Sequence, residues 1–503
     1  MSLDQFLRAP WRHSHDAYEA SAINIRPAPE FATAEAVLAA TYRSSGFSGH
    51  TESKVPVTGR QFDKMTSAGG LGAWRGTLSP DSWRTVLHGA LESPKQPKQS
   101  SKRFLQLCQL VPDAALYSGS ARLAGNSWHP GSLIQRAIGL GGVTKEAADT
   151  LWALLHQALS VENTDDVWAR WLQQEFVRWR DPAMEWRPTE LDGGNGFPES
   201  DKKELRAPAV QFVKDLTAIV KAKPLMTRRQ WVSLLEAIMR VGAVSHVMWL
   251  CDVNDQVWRT ARRVLAGDAP PSRPDVLRLV ANRPYKYLIY GRPGPPMIRE
   301  FASSYLQSRL GLNLLLWRLD AIGQPTPALR SVDDLTALLC KVAEHRTSLA
   351  ASGLVAGLRR LEDQEARTLG CSKGIGKNLV EFGRHTLGQR QSLESTLRGY
   401  DQGYALKKKG DYSSAPLVFA LGPVALLAFV HCCLAEVEGP RSVRRLCEHL
   451  ARYGLQVDMD NVEKGDLGGE LKMLGLILDS PDAEGGMLLV PPFEAPVAVG
   501  ASR

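Results

Sequence analysis

The 503 residues contain no G-x-S-x-G, no H-E-x-x-H and no glycine fingerprint for a dinucleotide. The hydrolase, zincin and dehydrogenase signatures with a local sequence mark are therefore unrepresented. None of the seven cysteines forms a C-x-x-C pair, and an odd, scattered set fits a reducing cytosol better than a disulfide framework. The opening MSLDQFLRAPWRHSHDAYEA has no apolar run behind a basic head. A secretory leader is not expected, and the expected location is cytoplasmic. Strand signals are few: YKYLIYG at 285–291 and GGMLLV at 485–490. One charge-free stretch, PLVFALGPVALLAFVHCCL, is divided at Gly422-Pro423. What remains is shorter than the roughly 20 apolar residues that a membrane span needs. It reads as a buried helix, with no membrane as partner.

What the chain does have is helical periodicity. KEAADTLWALLHQAL places Ala148, Leu151, Trp152, Leu155 and Leu159 on one face. TDDVWARWLQQEFVRW offers Thr164 as a cap ahead of an apolar face that includes Trp168, Leu172, Phe176 and Trp179. SVDDLTALLCKVAEHR opens with Ser331 and Asp334 at capping-box spacing. Tryptophans on such faces are expected in the core. The fold class expected is mainly α: a multi-domain helical protein with a C-terminal winged-helix domain. RPTELDGGNGFPESDKKE (187–204) is the clearest linker and YALKKKGDYSSAP (404–416) sets off the tail. These breaks suggest a helical domain over 1–190, an arginine-rich helical domain over 205–403 and a winged helix over 416–503.

Charge is unevenly distributed. Residues 226–330 hold fourteen Arg and one Lys against seven acids, a net +8, whereas residues 416–503 carry a net −5. VWRTARRVL places Arg259, Arg262 and Arg263 on one helical side. Arg278, Arg283, Lys286 and Arg292 follow, interleaved with Tyr285, Tyr287 and Tyr290. Arginine suits two-pronged contacts to phosphate, so these seven cations are the candidate nucleic-acid-binding residues. The competing reading is a set of arginines paired to acids elsewhere in the protein.

Chemistry-bearing spacings are weaker. GCSKGIGKN (370–378) has Cys371 and Asn378 where a P-loop needs glycine and a hydroxyl. Lys373 and Lys377 could still accompany an anion on a glycine-rich turn, or the segment is a plain loop opening a helix. Glu470-Leu471-Lys472 downstream of Asp458 and Asp460 mimics the D…E-x-K set of metal-dependent nucleases. The surrounding leucines have helical spacing, which makes Glu470 and Lys472 diverge by about 200°. His431, Cys432 and Cys433 are consecutive, and Cys447 and His449 lie a helix later, a spacing that favours packing over zinc. No catalytic residue, metal or cofactor is expected. His13 and His15 are expected in a mobile N-terminus.

The tail has the element order of a winged helix: a helix from Pro423, a second over GPRSVRRLCEHLARYGL, a third over MDNVEKGDLGGELKMLGLI, then a hairpin turning at Gly485-Gly486. In DNA readers the third helix enters the major groove. Here that helix and the hairpin are acidic, which disfavours phosphate. The segments KKKGDYSSAPLVFALGPVALLAFVHCCL, RSVRRLCEHLARYGLQVD and LGLILDSPDAEGGMLLVPPF resemble accessory subunits of bacterial anti-phage defence islands, including phosphorothioation-dependent restriction systems. The resemblance covers the last hundred residues or so. It implies a multi-protein assembly on DNA whose enzymes are other subunits. The expected function is a non-catalytic subunit of such a complex, contacting nucleic acid (duplex DNA the candidate) through its basic middle and partner proteins through its acidic tail. A metal-dependent nuclease and a stand-alone winged-helix regulator are the alternatives.

Overall fold

The computed structural model describes residues 1–25, 34–48, 64, 76–87, 89, 93, 107–118, 130–180, 184–194, 196–281, 285–390, 400–410, 412, 414–437, 441–463, 465–478 and 487–493. The protein is mainly α-helical. Leaving out short helical turns, the order begins with α1 (Ala34–Gly46), α2 (Pro130–Gly141), α3 (Lys145–Leu159), α4 (Val167–Trp179), α5 (Pro208–Lys221), α6 (Arg228–Ala266) and α7 (Arg273–Ala281). Then come β1 (Leu288–Ile289), α8 (Gly294–Ala321), α9 (Val332–Glu344), α10 (Leu354–Gln364) and α11 (Gly374–Leu387). The C-terminal part holds β2 (Leu406–Lys408), β3 (Leu417–Phe419), α12 (Pro423–Leu434), β4 (Arg441–Ser442), α13 (Arg444–Arg452) and β5 (Leu455–Gln456). It closes with α14 (Met459–Glu463), α15 (Asp466–Met473), β6 (Ile477–Leu478) and β7 (Leu488–Leu489).

The 39-residue α6 is the spine, about 58 Å long at 1.5 Å per residue. A capping box of Thr227 and Gln230 starts it, and Gly267, at φ +128°, ends it. Between them the helix is apolar on nearly every side, so it must be enclosed. Helices α1, α5, α8, α9, α11 and α12 enclose it. It alone among the described helices is long and apolar enough to cross a membrane, and that apolar window is wholly buried within the protein. One continuous apolar core runs from Phe6 to Leu489 through all of these elements. A smaller core forms under α4, where Trp83 packs edge-on to Phe176 at 4.8 Å and stacks with Trp179 at 6.3 Å.

Several expectations are corrected. The cap of α4 is Asp166, whose side chain accepts from Ala169 N, because the helix starts two residues later than Thr164 would set it. Trp168 is 43% exposed and stacks on Trp171 at 5.1 Å, whereas most tryptophans are core residues as expected. The N-terminus is packed against α8: His15 N donates to Asn313 Oδ1, His15 Nε2 lies 2.9 Å from Asp320, and Trp317 Nε1 donates to His13 O. In the 187–204 segment, Arg187 N and Thr189 N donate to Gly46 O and Ser45 O, and Glu199–Lys202 forms a short helical turn. The expected third tail helix is two helices, α14 and α15, interrupted before Gly465. The Ser331–Asp334 capping box is present. The turn at Gly485-Gly486 lies outside the described residues.

Residues 423–489 run helix, strand, helix, strand, two helices, hairpin. Strand β4 pairs antiparallel with β7, which pairs antiparallel with β6. This unit is joined to the helical body by a parallel pairing of β1 with β5, Leu288 opposite Leu455. Buried Asp215 on α5 accepts from His449 Nε2 and Tyr453 OH, each at 2.8 Å. His449 and Cys432 are thus packing residues between α5, α12 and α13.

Two glycines set how closely the spine is approached. A Cβ on Gly242 would stand 2.2 Å from Phe212 of α5, and one on Gly311 of α8 2.3 Å from Trp258. Gly311→Ala is expected to destabilise the protein by about 1–3 kcal/mol through overpacking. Trp258→Phe in that background should recover part of the loss. Denaturant unfolding of the single and double variants checks both.

Candidate nucleic-acid interface

Part of the basic character of the middle region is internal. Arg228 donates to Leu159 O and Ser160 O and pairs with Asp165, because it opens α6 where the end of α3 leaves carbonyls unsatisfied. Arg240, fully buried, bridges Glu236 at 2.7 Å and Asp401 at 2.8 Å. Arg273 pairs with Asp201 and Asp333, and Arg318 donates to Met1 O. Arg228, Arg240 and Arg318 are buried and cannot face a ligand in solution, whereas Arg273 stays partly exposed.

The candidates themselves lie at the other end of the spine. Arg259, Arg262 and Arg263 are exposed on the last turns of α6, their helix facing solvent there while Trp258, Ala261 and Val264 face the core. Arg259 is tied to Asp255 at 2.8 Å, one turn back. Arg278 is exposed but paired with Asp275. Among the described residues Arg262, Arg263, Lys286 and Arg292 are exposed and form no ion pair. Arg283 lies outside the described residues.

The structure brings Arg259 and Lys286 together. Both line a cleft of about 390 Å³ between α6, α8 and the segment entering β1. Its walls include Tyr285, Met297 and Phe301, and its other charges are Asp252, Asp255 and Glu300. Tyr285 is buried, with its hydroxyl donating to Tyr453 O, and burial raises its pKa far above the usual tyrosine value. Three carboxylates against two cations make the cleft itself unfavourable for phosphate, so an anionic backbone would lie along the exposed arginines and not in the cleft. The sequence could have shown the acids, since Asp252 and Asp255 precede Arg259 by seven and four residues. It could not show Glu300, which arrives on another helix.

Lys373 and Lys377 are both exposed at the start of α11. The loop before it turns through Cys371 at φ +57° and Gly374 at φ +58°. Gly376 is explained by packing, because a Cβ there would stand 2.3 Å from Thr368 O. Glu470 lies on α15, not on a strand, with Asp466 one turn before it and Lys472 diverging into solvent. That geometry does not assemble the carboxylate pair and lysine of a D…E-x-K site. Instead Glu470 turns toward the body, near Lys407, Tyr290 and Tyr404. Its Oε2 is buried with no hydrogen-bond partner among the described residues.

No known protein family matches the chain, and no curated protein or solved structure proves similar to it.

Burial raises the carboxyl pKa of Glu470 above its ordinary 4.5; Lys407 opposes the rise and Asp466 adds to it. A folded-state value above the unfolded one means that folding favours the protonated acid. Its contribution is therefore complete below about pH 4.5 and is lost as pH rises through the folded value. Glu470→Gln is expected to raise the unfolding midpoint at pH 7 relative to wild type, with little difference at pH 4. Thermal unfolding across that range checks the sign, and a variant less stable at pH 7 contradicts it.

Proposed function

We propose that this chain is a non-catalytic, cytoplasmic subunit of a bacterial DNA-associated defence complex. It contacts nucleic acid through the basic end of α6 and docks partner proteins through an acidic C-terminal winged helix. The observation that carries the first part is that Arg262 and Arg263 are exposed without an ion pair on the same turns of α6 as Arg259, which shares its cleft with exposed Lys286. The winged-helix reading is supported by the element order after Pro423 and by β4 pairing with β7 of the terminal hairpin. Its use as a partner surface and not a DNA reader follows from charge. The exposed side of α14 and α15 presents Asp460, Glu463 and Asp466. Beside them Met473 is 81% and Leu478 55% exposed, an apolar pair that a protein partner would cover. The arginines of α13 stand on a different helix from these acids, with Arg445 donating to Cys433 O and Arg452 to Gln211 Oε1. The defence-complex setting is supported by the resemblance of the tail segments, and by the failure of Glu470 and Lys472 to form a nuclease site.

Removing the tail outright would take Leu467, Leu471, Leu476 and Leu489 out of the continuous core, so point variants are the appropriate test. Arg262→Glu with Arg263→Glu is expected to weaken duplex binding and reduce the slope of log K against log salt by roughly 0.9 for each phosphate no longer neutralised. Met473→Asp with Leu478→Asp should leave that binding intact and abolish association with subunits encoded beside this chain. Gel shifts over a salt series, together with co-purification, report both. Loss of DNA binding in the tail variant alone would mean that the tail reads DNA.

A further inference from the structure

The turn that leads into α11 gathers a second set of cations. Arg367 lies on the short helical turn Ala366–Leu369. Its carbonyl accepts from Ser372 N at 2.9 Å, Ser372 Oγ at 2.7 Å and Lys373 N at 3.3 Å. These bonds fold the chain back, so that Arg367 and Lys373 stand on one turn. Lys377 follows one helical turn on, its N donating to Lys373 O at 3.4 Å. Arg299 of α8 joins them from a distant part of the chain, its carbonyl 3.9 Å from Cys371 Sγ. Burial pushes the Cys371 thiol up to about 11, and the nearby Arg299 guanidinium opposes that rise. All four side chains are exposed, and none forms an ion pair among the described residues. Of the acids nearest in sequence, Glu300 lines the cleft beside α6, and Glu381 is held by Arg384 and His385. Glu362, Asp363 and Glu365 stand at the end of α10, before the turn, and the first turn of α11 holds no acid.

What lies between these cations points to the kind of partner. Gly370, Ser372 and Gly374 are exposed, and no large apolar side chain is exposed from 366 to 378. A protein interface has an apolar centre, which the tail offers at Met473 and Leu478 and this turn does not. A phosphate backbone asks only for cations and room for close approach. With no aromatic ring exposed on the turn, there is nothing to stack on a base. We propose that Arg299, Arg367, Lys373 and Lys377 form a second contact surface for the phosphate backbone of duplex nucleic acid, adding affinity without reading sequence. The inference rests on the nucleic-acid reading above but uses none of its residues, so the two can fail separately.

Gel shifts of the full chain over a salt series, on two duplexes of equal length and unrelated sequence, test it. Lys373→Glu with Lys377→Glu is expected to weaken both duplexes alike, by about tenfold at about 100 mM salt. The slope of log K against log salt should fall by roughly 1.8, the share of two phosphates. Lys373→Arg with Lys377→Arg should retain binding, and Arg299→Glu should weaken it less than the double reversal. Each variant's own cooperative thermal unfolding shows that it is folded. Wild-type affinity and slope in the lysine reversal, with binding lost in Arg262→Glu, Arg263→Glu, overturns this proposal and leaves the α6 contact standing. Loss in the lysine reversal alone supports this surface and overturns the α6 contact. No binding by wild type overturns both. Loss on only one of the two duplexes, or retained duplex binding with lost association with a neighbouring subunit, also overturns the proposal, the second outcome assigning the turn to a protein partner.

Discussion

The structure depends on enclosing α6. From Trp231 to Asn254 this helix is buried on nearly every side, so the helices packed around it must leave it no solvent face there. That enclosure forces a second condition. The few polar side chains on the helix are buried with it and must find partners in the surrounding layer. Asn254 donates to Ile23 O and accepts from Tyr18, which ties the N-terminal segment to the spine. Ser245 meets Tyr287 ahead of β1, and Arg240 meets Asp401 ahead of β2. Each such bond sets the position of an element far away in sequence. His246 is the exception: both ring nitrogens are buried without a partner among the described residues, and burial pushes its pKa down to about 3.

The same enclosure decides which charges remain available. Arginines near the start and middle of the spine satisfy carbonyls and carboxylates inside the protein. Those on its last turns project into solvent because they lie on the side of α6 away from buried Trp258, Ala261 and Val264. The same helix therefore buries charge near Glu236, where Arg240 pairs with it, and exposes charge near Arg262. The C-terminal unit is not a free appendage, since β5 pairs with β1 and Asp215 holds both His449 and Tyr453.

Much of the helical content was legible because long amphipathic or uniformly apolar segments carry a period that short-range physics enforces. The capping boxes at Ser331 and Thr227 are likewise a matter of near-neighbour spacing. The two- and three-residue strands left no such trace. Alternation over Leu406–Lys408 or Arg441–Ser442 is too short to register, and those pairings form because neighbouring elements bring two backbones together. The split between α14 and α15 falls at Gly465, ahead of the leucines whose helical spacing begins at Leu467.

Sequence by itself determined the mainly α class, the burial of most tryptophans, the stop of α12 short of a membrane span and the location of excess positive charge. All of these follow from residue type and near-neighbour spacing. Only the tertiary structure decided which arginines are used internally. It also placed Glu300 among the basic candidates and turned Glu470 toward the body. Those outcomes depend on contacts between residues far apart in the chain, and neither composition nor period encodes which groups will meet.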